Sequence, residues 1–302
     1  MDFFSAQQGG CFMTATPKPE VLTYDQALPL FDYDSSMPFD VKVTSEEEND
    51  GVIIQDLTYM AADPKYIPDT AGKIAAYLVR PSKEGAYAGV LYLHGLGNHW
   101  GNRKEFLDEA VSLAHQSVVS LLPIGLFPWI VEHSGIGELD QINVIKQVIE
   151  VRRSVGFLLA QPGVDPQCIA LVGHDYGAMH GALLSGIEKH IKAYVFMTGD
   201  TNYSDWAIKY FIKPTDENTY RTLMSAVDPI TYVPHAAPAA LFFQFAGNDE
   251  FIPHDSANQL FLAASEQKNF GWYDSAGHAL NEHASQDRLA WLELQLGLKP
   301  AP

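Results

Sequence analysis

The chain has 302 residues, 47% apolar and 19% charged, the balance of a globular protein with room for a substantial core. A net charge of −18 argues against nucleic acid or an anionic lipid surface as partner, and no apolar run is long enough to cross a bilayer. The two cysteines, Cys11 and Cys168, give neither a disulfide framework nor metal-ligand spacing, and no basic-then-apolar leader opens the sequence, so a cytoplasmic protein with free thiols is expected.

The first 38 residues mix prolines, small polar residues and isolated aromatics such as Phe31 and Tyr33, the pattern of an extension wrapping a domain that spans 39–302. Residues 39–44 and 51–60 alternate apolar and polar side chains, predicting an edge hairpin with Glu46-Glu47-Glu48 in its solvated loop. A third strand is predicted at 73–80. The unbroken apolar run Gly89-Val90-Leu91-Tyr92-Leu93 predicts a parallel strand buried on both faces, ending at His94-Gly95-Leu96-Gly97. A helix over 103–116 and a strand over 117–123 complete one crossover, while a loop over 125–137, a helix over 139–159 and a strand leading to Gly173 complete a second. Strands at 191–198 and 239–245 follow. Between them, residues 199–238 are rich in aromatics and too long for an ordinary connection, so they read as a small lid. A helix at 256–267, a strand at 270–273 and an amphipathic helix at 281–296 close an α/β domain.

The chemistry centres on Ile169-Ala170-Leu171-Val172-Gly173-His174-Asp175-Tyr176-Gly177-Ala178. An apolar strand feeds Gly-x-Asp-x-Gly and then small, helix-compatible residues; the glycines permit close strand–helix approach and leave the middle residue at the tip of a strained turn, a nucleophile elbow. A nucleophile at this turn needs a histidine base and an acid that orients it, in the chain order nucleophile, acid, histidine. Asp249, in Gly247-Asn248-Asp249-Glu250-Phe251-Ile252-Pro253 beyond a buried strand, is the candidate acid; a helix-capping role suits Asp255 better. His278, in Asp274-Ser275-Ala276-Gly277-His278 after the last strand, is the candidate base. His94 suits a structural bond to loop backbone and His174 fits either role. Both join Tyr203, Trp206 and Tyr210 of the lid as candidates for the substrate pocket. His180, His254 and His283 carry no expected ligand role, and His94 and His99 have no carboxylate at metal spacing, so no metal is expected.

The His94-Gly95 turn after a buried strand, the Gly173-x-Asp175-x-Gly177 elbow, the Gly247-x-Asp249-x-x-Ile252-Pro253 loop and Gly277-His278, in this order, resemble the α/β-hydrolase superfamily and within it the dienelactone hydrolase-like branch, over residues 73–296. The resemblance implies an α/β-hydrolase fold, a mostly parallel sheet flanked by helices, with a small-molecule substrate and no cofactor. It also implies an oxyanion hole made by the backbone N–H groups of Leu96 and Tyr176. A homo-oligomer is compatible with it.

That branch carries cysteine or serine where this chain has Asp175, and Gly-His-Asp-x-Gly resembles instead the elbow of epoxide hydrolases and fluoroacetate dehalogenases. A carboxylate attacking an ester carbonyl gives a mixed anhydride. Attack on a carbon bearing a halide or an epoxide oxygen gives an ordinary alkyl ester, which His278-activated water hydrolyses. Departures from these relatives also stand in the sequence: Gly97 replaces the proline of epoxide hydrolases, and Leu96 and Tyr176 replace the Asn and Trp of haloalkane dehalogenases, which weakens halide capture. Epoxide opening calls for phenols above the nucleophile, for which Tyr203, Tyr210 and Tyr220 are candidates. The leading expectation is therefore an Asp175-His278-Asp249 triad forming an alkyl-enzyme ester. The alternatives are an esterase or lactonase with Asp175 as base, and a non-catalytic binding relative.

Overall fold

The computed structural model describes residues 19–66, 71–96, 102–125 and 133–298; Cys11, the Gly97-Asn98-His99 turn and residues 126–132 of the loop predicted at 125–137 lie outside them. Nine strands form one sheet: β1 Lys42–Asn49, β2 Val52–Met60, β3 Lys73–Pro81, β4 Tyr87–Leu93, β5 Val118–Pro123, β6 Val164–His174, β7 Ala193–Met197, β8 Ala240–Ala246 and β9 Lys268–Tyr273, in the order β1-β2-β3-β5-β4-β6-β7-β8-β9. The pairings from β1 to β5 are antiparallel and those from β5 to β9 parallel. The helices are α1 Tyr24–Ala27, α2 Leu107–Ala114, α3 Gly137–Leu159, α4 Tyr176–Ile187, α5 Tyr203–Tyr210, α6 Glu217–Met224, α7 Pro229–Tyr232, α8 His254–Ala263 and α9 Glu282–Leu296.

The period of two divides the buried strands between two cores. Leu91 and Leu171 face the core built with α3, α4 and α8, while Val90, Tyr92, Ala170 and Val172 face the one built with α2 and α9. Both sides of the parallel sheet are thus covered, which leaves its C-terminal edge as the place for loops and a site. The 199–238 insertion folds into α5, α6 and α7, with α5 capped by Asn202 and α6 by Asp216. Among the described residues no helix is long and apolar enough to cross a membrane.

Two local expectations are corrected. Glu46-Glu47-Glu48 lies within β1, exposed throughout, and the turn is Asp50-Gly51, both at positive φ. An edge strand without a buried face imposes no apolar alternation, and its charges discourage pairing with another chain. Asp255 sits in the first turn of α8 rather than at its cap, which is Pro253. In the segment before residue 39, Phe31 is fully buried edge-on against Tyr232, and Arg152 and Arg153 of α3 donate to the carbonyls of Phe31 and Pro38 at 2.9 Å each.

A buried ion pair joins the helices of one face to the sheet. Arg288 of α9 donates to Glu109 of α2, at 2.5 Å from Nη2, and to Gln244 Oε1 of β8 at 3.1 Å. Removing one partner strands the other charge. Arg288→Met is expected to lower unfolding stability in urea by about 3–5 kcal/mol, and adding Glu109→Leu to recover much of the loss; equal stability of the single variant and wild type would contradict the pairing.

Candidate active site

The strand–turn–helix that carries Asp175 is shaped by its glycines. A Cβ on Gly173 would lie 2.5 Å from the Gly177 carbonyl oxygen, and one on Gly177 would lie 2.5 Å from that of Leu93, so neither position admits a side chain. Asp175 has φ 52° and ψ −116°, an uncommon conformation for a non-glycine residue, held by its N–H bond to the Met197 carbonyl at 2.8 Å. Aspartate at this position ordinarily caps the helix it precedes, yet this carboxylate makes no capping bond to α4. It turns instead toward two other loops. Oδ2 accepts the Leu96 N–H at 2.8 Å, and Oδ1 lies 3.3 Å from His278 Nε2.

His278 Nδ1 is 3.0 Å from each Asp249 oxygen, and Asp249 Oδ1 also accepts the N–H groups of Phe251 at 2.8 Å and Ile252 at 3.0 Å. The loop backbone thus fixes Asp249, which fixes the ring, which meets Asp175. All three side chains are almost fully buried. Burial opposes a charge on His278, but hydrogen bonds to Asp175 and Asp249 outweigh it and raise its pKa to about 9.

A cavity of about 320 Å3 opens on this triad, lined by Leu96, Asp175, Trp206, Tyr210, Phe211, Phe251 and His278. Trp206 and Tyr210, expected on the pocket wall, stand there. His94, His174 and Tyr203 do not number among the described lining residues. His94 is buried and accepts the Gly125 N–H on Nε2 at 2.7 Å, so its Nδ1 carries the proton and donates to the Gly95 carbonyl at 2.8 Å; burial lowers its pKa. His174 is fully buried between Glu105 and the His278 backbone. Tyr203 is fully buried behind the site, its hydroxyl 3.1 Å from His180 Nδ1. Tyr220 donates to buried Asp140 at 2.9 Å, which leaves Tyr210 as the cavity's lid phenol among the described residues, its hydroxyl donating to the Phe251 carbonyl at 2.6 Å. Tyr176 opens α4, where first-turn N–H groups lack a partner within the helix.

Three contributors went unmarked in the sequence. Phe211 lies inside the aromatic insertion and Phe251 two residues after Asp249, so both were near a signal. Glu105 had none, because an acid at the start of a predicted helix is ordinary.

Solved structures share this arrangement of strands. The chain superposes on acetyl xylan esterase 1 from Thermoanaerobacterium sp. with a TM-score of 0.68 at 12% identity, covering 93% of this chain and 95% of that one. Acetyl xylan esterase from Paenibacillus sp. gives 0.68 at 15% identity, covering 92% and 97%. A Klebsiella pneumoniae protein assigned as a dienelactone hydrolase gives 0.58 at 15% identity, covering 82% and 98%. The fold is the α/β-hydrolase fold. No protein-family model and no curated protein matches the chain. The turn after β6, the loop after β8 and the loop after β9 converge at the sheet's C-terminal edge, where Asp175, Asp249 and His278 meet.

The raised His278 pKa ties the site to stability. The folded state holds a proton that the unfolded chain releases above its ordinary pKa near 6.5, so this contribution is complete below that pH and is lost as pH rises through about 9. Urea unfolding between pH 6.5 and 9 should therefore show stability falling with pH, by up to about 1.4 kcal/mol per pH unit, and His278→Gln should remove that component. An unchanged slope in the variant would contradict the two-carboxylate account.

Proposed function

We propose that the protein is a cofactor-independent hydrolase that forms an alkyl ester on Asp175 and hydrolyses it with water activated by His278. The observation that carries this reading is the Leu96 N–H bond to Asp175 Oδ2. An amide in this position of the fold serves an oxyanion. Here it is engaged by the carboxylate itself, which suits a mechanism whose oxyanion develops on that same oxygen.

Asp175 Oδ1 attacks a saturated carbon from the cavity side; the bond from that carbon to its halide or epoxide oxygen breaks, and the electron pair leaves with the departing group. Esterification removes the Asp175 charge, one of the two that hold the His278 proton, so the imidazole passes that proton to the alkoxide left by epoxide opening, or to solvent when a halide leaves, and becomes a base at the step that needs one. His278 then takes a proton from water, and the hydroxide adds to Asp175 Cγ. Negative charge collects on Oδ2, facing the Leu96 amide and, in this reading, that of Tyr176. Collapse expels the alcohol, protonated in leaving, and restores the carboxylate. Asp249 keeps the imidazole aligned throughout.

In an esterase with Asp175 as base, the substrate's oxyanion would compete with Asp175 for the Leu96 amide. The missing capping bond at α4 argues likewise against a purely structural carboxylate. The solved neighbours include acetyl xylan esterases and a 2,6-dihydroxy-pseudo-oxynicotine hydrolase, so the fold serves more than one hydrolytic substrate.

The described wall supports an uncharged, apolar substrate. It offers five apolar or aromatic side chains, Asp175, His278 and no lysine or arginine, so a haloacid carboxylate would be desolvated beside Asp175 with only the His278 charge, already shared by two carboxylates, to offset it. His278→Gln, incubated with styrene oxide or benzyl bromide, is expected to accumulate an intact-mass adduct that maps to Asp175. Chloroacetate should give none, and turnover should fall by about 10²–10⁴-fold. Hydrolysis of styrene oxide by wild type with no adduct in the variant would overturn the covalent reading.

A further inference from the structure

Glu105 and His174 take no part in the reaction above, yet they connect three of its parts. Glu105 Oε2 accepts the Gly95 N–H at 2.9 Å, in the turn that presents the Leu96 amide. Its Oε1 lies 2.5 Å from His174 Nδ1, next to Asp175 in the elbow. His174 Nε2 in turn lies 3.2 Å from the backbone carbonyl of His278, which also accepts Thr198 Oγ1 at 3.1 Å. The segment that brings Glu105 in is itself fastened: Arg103 makes two bonds to Asp56, at 2.8 and 2.7 Å, and stacks over the Tyr77 ring at 3.9 Å.

The donors and acceptors fix where the protons sit. A backbone carbonyl only accepts, so His174 Nε2 carries a hydrogen; a carboxylate only accepts, so Nδ1 carries one too. With both ring nitrogens facing oxygen, an ionised Glu105 and a doubly protonated His174 satisfy both contacts at once, through a short charge-assisted bond in a buried setting. His94 differs: it accepts the Gly125 N–H and is thereby a neutral ring, one turn away in the same loop. The His174 ring faces the His278 ring, with centroids 5.1 Å apart, and not the cavity.

We propose that Glu105 is a positioning residue: by keeping His174 doubly protonated, it locks the oxyanion turn, the elbow and the base-bearing loop into one hydrogen-bonded unit. The inference rests on Asp175 being the nucleophile for its consequence in catalysis, and on geometry alone for the state of His174. A neutral His174 would lose either its bond to Glu105 or its bond to the His278 carbonyl, and so release either the Gly95 turn or the His278 loop.

Two measurements on the full chain test it. Ring-nitrogen NMR, with His174 assigned through His174→Gln, should show both His174 nitrogens protonated in wild type, and a neutral ring in Glu105→Gln, which keeps the side-chain shape. A neutral His174 in wild type, or a ring unchanged in the variant, overturns the proposal. With styrene oxide, Glu105→Gln should lower kcat by about 100-fold with KM little changed, a split that simple loss of stability would not give; unaltered kcat overturns the positioning role. The NMR arm needs no substrate. If styrene oxide is not turned over by wild type, the nucleophile reading fails while the NMR arm still decides the state of His174.

Discussion

The contact between the Leu96 amide and the Asp175 carboxylate constrains the rest of the site. It fixes one carboxylate oxygen, and the other is then directed toward His278 and the cavity. Around that contact, two glycines bring β6, α4 and the end of β4 closer than any side chain would permit, and Asp175 is left in a strained conformation that packing and its N–H bond to the Met197 carbonyl sustain. The strain, the two buried carboxylates and the imidazole between them belong to one arrangement. Each costs stability singly, and together their charges compensate.

Charge placement explains how one histidine serves two conditions. Between Asp175 and Asp249 it holds a proton well above neutrality. In the proposed reaction, consumption of one carboxylate by esterification removes part of that hold, so the basic form arises as a consequence of the preceding step. Beneath it, Glu105 and His174 form the second charged pair of the proposal, with contacts to the backbone of Gly95 and of His278. The paired groups are buried and the wall above them is apolar, so water and competing ions are kept away from charges that would otherwise be screened.

The sequence made the sheet and the triad legible for different reasons. Buried parallel strands such as β4 and β6 are continuous apolar runs, and glycines punctuate them where backbones touch, so Asp175, Asp249 and His278 could be named from their positions after strands. The second half of the edge strand β1, Glu46-Glu47-Glu48, reads as a loop because it buries nothing and so carries no apolar alternation. Side chains that meet through long-range packing were harder. Glu105 comes to His174 from 69 residues away, and the spacing of neither residue encodes the meeting. The aromatic insertion announced a wall but not which rings form it: Trp206 and Tyr210 face the cavity, while Tyr203 and Tyr220 spend their hydroxyls on buried partners. Helical phase and tertiary docking decide that, and a sequence rich in aromatics at many phases leaves it open.

The central claim is that Asp175 is alkylated and that its own oxygen leaves in the product. A single turnover of excess enzyme with styrene oxide in heavy-oxygen water, followed by mass spectrometry of the Asp175 peptide and of the diol, tests it directly. The account predicts heavy oxygen in the Asp175 carboxylate and a diol without it; heavy oxygen in the diol, with an unlabelled Asp175 peptide, would contradict it.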